Sequence, residues 1–177
     1  MPVFASITVK ILIQRFLRYF QDNYATLLAL NQPVGAFMEV RVDWAGGVAF
    51  IGNASGHKVV MDGPVEGGGR GLGARPMEML LLGMGGCTSY DVVSILKKAR
   101  QEVTGCSVDI KAERADAIPA VFTKIHIHFI VSGVGLAEKQ VERAINLSAE
   151  KYCSASIMLG KTANISHSFE LAETATN

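Results

Sequence analysis

Apolar residues fill one long stretch of the chain, from Pro76 to Arg100, almost without interruption at its start. Between Met77 and Met84 the only polar residue is Glu78. Proline suits the first position of a helix, because the amide hydrogen that it lacks would have no partner there. Basic residues at the end of the stretch complement the negative end of a helix dipole. No solvent-facing side can be drawn, so the pattern predicts a long helix buried in the core.

The segment before this helix alternates with a period of two. Val40, Val42 and Trp44 are separated by charged residues, which predicts a strand with one buried face. Glycine-containing turns at 45–47 and 53–56 separate it from two further short strands. The sequence therefore predicts a three-stranded meander.

Two strands, a helix and a last strand follow the long helix. Alternation predicts strands at 107–112 and 121–131, a period of three to four predicts a helix at 135–152, and alternation returns at 162–171. This order predicts an α+β domain in which an antiparallel sheet carries the long central helix and the second helix on one face.

The first 37 residues follow a different pattern. Val9, Leu12, Phe16 and Phe20 recur at helical spacing and predict an amphipathic helix, which packs on its own domain or serves as a membrane-surface or partner helix. We interpret 1–37 as an N-terminal extension and 38–177 as the main domain.

Composition excludes several classes of protein. A formal net charge of +1 offers no electrostatic footprint for nucleic acid. No apolar run reaches the roughly 18 residues of a membrane span, so no membrane partner is predicted. Three cysteines without metal-finger spacing favour a reducing compartment, and the cytoplasm is the expected location.

Two other motifs resemble ligand-binding patterns, but neither contains all the residues that such a site needs. The glycine-rich segment 66–73 is followed by no Lys-Ser or Lys-Thr, so a flexible loop is favoured over a phosphate loop. His126 and His128 share one face of a strand, but no third metal ligand is near and a solvated outer surface is favoured. Neither a metal nor an organic cofactor is predicted.

Cys87 lies in the long helix, and Cys153 lies at the end of the second one. Three nearby glycines, the first of them Gly83, predict that another backbone packs close to Cys87. Because both helices lie on one sheet face, the two thiols can meet. Such a pair fits a peroxide-reducing site, in which a second thiol captures the sulfenic acid, and it also fits two unrelated buried thiols. Cys106 is interpreted as structural.

Three motifs, PMEMLLL, GGCTSYDVV and LSAEKYCS, resemble the OsmC/Ohr family in order and spacing, over Met38 to about Leu171. The Gly-Gly-Cys and Tyr-Cys motifs are similar to an OsmC-like branch of that family. The resemblance implies an intertwined homodimer with two interfacial sites that reduce organic hydroperoxides or hydrogen peroxide. It also implies that Cys87 attacks the peroxide, that Cys153 resolves the product and that an external thiol is the reductant. The alternative is a non-enzymatic small-molecule carrier or redox sensor on the same fold.

The chain departs from the family pattern around this site. The family's glutamate directly follows the proline, whereas Glu78, its candidate counterpart here, lies one residue later. The turn after the first strand contains no arginine. Asp91 lies one helical turn after Cys87. Along an unbroken helix Glu78 lies about 13 Å from Cys87 and on the opposite side. Glu78 therefore acts after a break near Gly83, acts across a dimer interface, or has no catalytic part.

Removing residues 1–37 is expected to leave the folding and any activity of the remainder unchanged, because the alternating pattern begins cleanly at Met38. Circular dichroism and thermal melting of the truncated and full-length chains test this boundary. Aggregation or unfolding of the truncated chain would show that the amphipathic segment belongs to the core.

Overall fold

The computed structural model describes residues 38–172, and the helix expected within 1–37 lies outside them. The strands are β1 (Val40–Trp44), β2 (Phe50–Ala54), β3 (His57–Met61), β4 (Glu102–Arg114), β5 (Phe122–Val134) and β6 (Asn164–Ala172). The α-helices are α1 (Pro76–Lys98), α2 (Glu138–Leu147) and α3 (Ser154–Leu159). Two compact units are distinguished, and 38–41 and 54–56 are the described parts of the smaller one. The α+β class and the element order predicted from the sequence are confirmed, except that the short helix α3 was not predicted.

Six strands form two sheets of three, ordered β1-β2-β3 and β4-β5-β6. The long hairpin of β4 and β5 is antiparallel, as expected. However, β6 runs parallel to β5, with Ile125 opposite Ile165 and Phe129 opposite Phe169. Parallel neighbours require a crossover connection, and here α2 and α3 lie within it. Local alternation does not report strand direction, which explains why the sequence did not reveal this pair.

The inner face of β5 forms the centre of the core. Ile125, Ile127, Phe129 and Val131 are fully buried there. The side chains that cluster with them come from α1, from α2 and from the neighbouring strands. Those of the two helices include Met84, Val92, Leu96, Val141, Ala144 and Ile145. On the outer face, His126 contacts the hydroxyls of Ser166 and Ser168 through its two ring nitrogens at 2.8 and 2.9 Å. The core therefore lies between the second sheet and the helices.

Helix α1 begins at the predicted proline and runs unbroken to Lys98. Its inner side packs on β4, where a Cβ added at Gly85 would lie 3.0 Å from Ile110 Cδ1 and 3.2 Å from Val108 Cγ2. The packing at Gly85 is therefore close, but its neighbours are side chains of β4, and the close approach of another backbone that the glycines predicted is not found there. Within residues 38–172, α1 is the one helix long and apolar enough to cross a membrane, yet its contacts with β4 and α2 are those of a core helix.

The outer side of α1 is not covered by the other residues of the range 38–172. Leu80 and Leu82 are 49% and 60% exposed, and a Cβ added at Gly83 or Gly86 would meet nothing within 4 Å. The expectation that the helix is buried on every side is therefore not met by the part of the chain that the structure describes. Its apolar surface continues beyond the part that β4 and α2 cover.

The glycine-rich segment before α1 is organised by one carboxylate. Asp62, directly after β3, accepts hydrogen bonds from the amides of Gly63, Arg70 and Leu72 at 2.8 to 3.1 Å. A Cβ at Gly73 would collide with the carbonyl of Val60, so glycine is required there. The segment expected to be a flexible loop is thus tied to the end of β3, immediately before α1 begins.

Replacing Asp62 with asparagine is expected to lower the melting temperature, because an amide cannot accept all three hydrogen bonds as an ionised carboxylate does. The hydrogen bonds from Leu72 and Arg70 lower the pKa of Asp62 below its usual 3.8. Its contribution is therefore complete above the unfolded-state pKa and is lost as the pH falls below that value.

Denaturant midpoints of wild type and Asp62→Asn, measured at about pH 7 and about pH 3, test this loop. The difference between the two proteins should shrink at the lower pH. Asp116→Asn, a substitution in the exposed turn after β4, serves as the control and should leave both midpoints unchanged. An equal difference at both pH values would show that the charge of Asp62 has no part in stability.

Candidate functional site

Cys87 lies near the middle of α1 and is half-buried. Asp91 follows four residues later, so both side chains lie on the same side of the helix, one turn apart. The distances given below place the Asp91 carboxylate near the Cys87 sulfur. Helix α1 therefore supplies a thiol and a carboxylate to one place.

Cys153 lies between two helical segments. A π-helical turn, Ser148–Tyr152, extends α2, and the amide of Cys153 donates to the carbonyl of Ser148 at 2.9 Å. The sulfur of Cys153 then caps α3 by accepting a hydrogen bond from the amide of Ser156 at 3.4 Å. The side chain is fully buried. Such π-turns are rare and concentrate at functional positions.

The two cysteines meet. The sulfur atoms of Cys87 and Cys153 and a carboxylate oxygen of Asp91 all lie within 4.8 Å of one another. The prediction that the thiols can meet is confirmed, although they are separated by 66 positions in the sequence. Both cysteines are free thiols in this structure.

A buried pair of hydroxyls joins the two halves of this site. Thr88 and Ser148 are both fully buried, and their side-chain oxygens lie 2.9 Å apart. Ser148 also donates to Asp91 Oδ2 at 3.2 Å. The sequence analysis missed both hydroxyl residues. Their adjacency to Cys87 and to the Tyr-Cys motif was the available signal, since Thr88 directly follows Cys87 and Ser148 opens the turn before Cys153.

The surroundings of Cys87 favour the protonated thiol. Burial is the main cause that raises the pKa of Cys87. The hydrogen bond with Cys153 and the charges of Cys153 and Asp91 raise this pKa further. A hydrogen bond from the amide of Ala155 lowers it. Among residues 38–172, no Lys or Arg forms an ion pair with Asp91. Within residues 38–172, therefore, no ion pair of Asp91 offsets these effects.

Glu78 is placed apart from the two cysteines. Its Oε2 accepts a hydrogen bond from the amide of Arg75 at 2.8 Å, which caps the start of α1. Because α1 is continuous, the possibility that a break near Gly83 brings Glu78 to its own Cys87 is excluded. About 13 Å of helix separates the two residues within one chain. The geometry leaves an action across a dimer interface, or none.

A groove of about 560 Å³ runs along the other side of α1, between the helix and β4. Its walls are largely apolar, and Glu78, Leu82, Ser89 and Cys106 are among the residues that line it. Burial raises the pKa of Cys106, and a hydrogen bond with Ser89 opposes this effect. Cys106 thus belongs to the groove and not to the cluster of the other two thiols.

This chain is similar to known proteins over most of its length. The protein YhfA of Escherichia coli K12 is 49% identical over 135 residues, which covers 76% of this chain and 98% of YhfA. A hypothetical protein from Aquifex aeolicus VF5, known from its crystal structure, is 32% identical with a TM-score of 0.70, covering 78% of this chain and 98% of that one.

More distant structures share the fold. The organic hydroperoxide resistance protein OhrB of Bacillus subtilis has a TM-score of 0.55 at 14% identity, over 76% of this chain and 98% of OhrB. The family model described as OsmC-like protein matches residues 67–168, a range that contains both Cys87 and Cys153. With this match over more than half of the chain, and with YhfA covered almost completely, the chain belongs to the OsmC-like protein family.

Proposed function

We propose that the protein is a thiol-dependent peroxidase that reduces organic hydroperoxides or hydrogen peroxide and acts in oxidative stress defence. The observation that carries this proposal is the approach of the Cys87 and Cys153 sulfurs to within 4.8 Å. A disulfide requires about 2 Å between sulfurs, so small side-chain and backbone adjustments suffice to form one. Family membership and the fold shared with a hydroperoxide resistance protein support the same conclusion.

Cys87 is the residue that attacks the peroxide. It is half-buried, whereas Cys153 is fully buried, so an oxidant reaches Cys87 first. The Cys87 thiolate takes the distal peroxide oxygen and becomes a sulfenic acid, and the other oxygen leaves as an alcohol or water after protonation. The Cys153 thiol then displaces water to give a disulfide. Two equivalents of an external thiol reduce this disulfide and become oxidised to their own disulfide.

A carrier or redox sensor on the same fold is the second candidate. One observation favours it, namely the raised pKa of Cys87, which lowers the fraction of reactive thiolate at neutral pH. The apolar groove beside α1, with its volume of about 560 Å³, is large enough for a small ligand. Under this alternative the thiols change state slowly and no rapid turnover of peroxide is observed.

The functional unit in this proposal is a homodimer. Apolar side chains on the first sheet are widely exposed in the single chain, with Val42 at 56% and Trp44 at 70%. A three-stranded sheet needs a covered apolar face to be stable in water. The outer side of α1, with Leu80 and Leu82, is uncovered in the same way. A second copy of the chain supplies this cover, and Glu78 contributes to chemistry only if it acts across that interface.

Wild-type protein is expected to sediment as a dimer at micromolar concentration, and Leu82→Glu should shift it towards the monomer. The reason is that a charge placed on the outer side of α1 would be buried without a partner. Ile118→Glu is the matched control, because Ile118 is fully exposed in the turn between β4 and β5. This variant should remain dimeric. A stable wild-type monomer would contradict the dimer.

Treatment with a modest excess of organic hydroperoxide should join Cys87 to Cys153 and leave Cys106 free. In Cys153→Ser, Cys87 should proceed to sulfinic and sulfonic acid, since no thiol captures the sulfenic acid. In Cys87→Ser, Cys153 should remain largely unmodified, because it is fully buried. Mass spectrometry of peptides after timed exposure reads the order of oxidation.

The rate of peroxide consumption distinguishes a peroxidase from a carrier or redox sensor. With a dithiol present, wild type and Cys106→Ser should consume peroxide at equal rates, and Cys87→Ser should not exceed the rate without protein. Oxidation of Cys106 before Cys87, or an unmodified Cys87 at oxidant levels that modify a free thiol, would contradict the peroxidase. A disulfide that forms without sustained peroxide consumption would favour the sensor.

A further inference from the structure

We propose that Cys87, Cys153 and Asp91 also form a binding site for a divalent zinc-type metal ion when both thiols are reduced. The proposal stands on geometry and goes beyond the proposed peroxidase function. The two sulfurs and a carboxylate oxygen of Asp91 lie within 4.8 Å of one another. Two soft ligands and one hard ligand in one place favour zinc over magnesium or calcium.

The distances are close to those of a metal centre. Zinc–sulfur bonds of about 2.3 Å and zinc–oxygen bonds of about 2.0 Å place tetrahedral ligands roughly 3.5 to 3.8 Å apart. Since the ligand atoms all lie within 4.8 Å of one another, they need to close by at most about 1.3 Å. Three protein ligands leave the fourth position to water or a small molecule, the pattern of reactive rather than structural zinc sites.

The carboxylate is held in place by side chains that do not themselves bind the ion. Ser148 donates to Asp91 Oδ2 at 3.2 Å, and the hydroxyl of Ser148 is in turn 2.9 Å from that of Thr88. Hydrogen bonds to ligating carboxylates of this kind orient them and increase metal affinity. Because Thr88 and Ser148 are fully buried, the position of this oxygen is fixed by the core.

The charge balance also favours a cation. The cluster contains three groups that are neutral or negative, and within residues 38–172 no Lys or Arg pairs with Asp91. A divalent ion offsets two of the three negative charges that the two thiolates and the carboxylate carry together. Disulfide formation removes two of the three ligands, so metal binding and the disulfide exclude each other.

Cobalt titration of the reduced, full-length protein tests the site, because Co²⁺ replaces Zn²⁺ and is coloured. Wild type should bind one Co²⁺ per chain with a near-ultraviolet thiolate charge-transfer band and the visible bands of a tetrahedral ion, both removed by excess Zn²⁺. Cys87→Ser and Cys153→Ser should each lose most of the charge-transfer intensity. Asp91→Asn should retain that band with weaker binding. Ser148→Ala should weaken binding by about 10- to 100-fold.

Cys106→Ser is the matched control, since Cys106 is a third thiol outside the cluster, and it should bind as wild type does. Far-ultraviolet circular dichroism of each variant verifies that it is folded. A charge-transfer band that survives in Cys87→Ser, or that disappears in Cys106→Ser, would overturn the proposal. Failure of the wild type to bind cobalt at stoichiometric concentration would also overturn it. Peroxide turnover by the metal-free protein is measured separately, so the failure of one proposal is distinguishable from that of the other.

Discussion

Thr88 on α1 and Ser148 in the π-helical turn meet at 2.9 Å in the interior, where neither side chain is exposed to water. Such a hydrogen bond adds only about 1 kcal/mol net, but a hydroxyl left without its partner there would cost about 1 to 3 kcal/mol. The two segments are therefore held in a single register. Cys87 directly precedes Thr88, and Cys153 follows the turn that Ser148 opens, so this register also determines where the two sulfurs lie.

Much of the fold could be predicted because its signals are local. The helix from Pro76 was recognisable from its proline, its apolar composition and its basic end, although α1 ends at Lys98, two residues before the predicted Arg100. The direction of β6 and the short π-helical turn were not recognisable. Strand direction depends on how the chain crosses the core, and a π-helical turn depends on packing against α1; neither leaves a periodic trace in the sequence.

Some residues of the site and of its surroundings could likewise be predicted from the sequence, and others could not. Cys87 and Cys153 were found because thiols on two packed helices carry chemistry, whereas Asp91 was noted only as a carboxylate one helical turn after Cys87. The role of Asp62 in the fold was not found, because a single aspartate before a glycine-rich segment gives no sign that three amides converge on it. Glu78 was named by resemblance. Its observed contact is with the amide of Arg75, a local hydrogen bond at a helix terminus, which resemblance alone does not distinguish from a role in the site.

The parallel pairing of β6 with β5 also encloses the segment that carries Cys153 in a long loop. His126 and Ser166, which lie opposite each other, are 40 residues apart in sequence. Closing a loop of that length costs on the order of 3 kcal/mol in chain entropy before any contact is gained, and such long-range pairings are slow. The segment that carries Cys153 lies inside this loop. The contact between Cys87 and Cys153 closes a still longer loop, of 66 positions, so a nascent chain that has not yet reached Cys153 holds Cys87 without its partner.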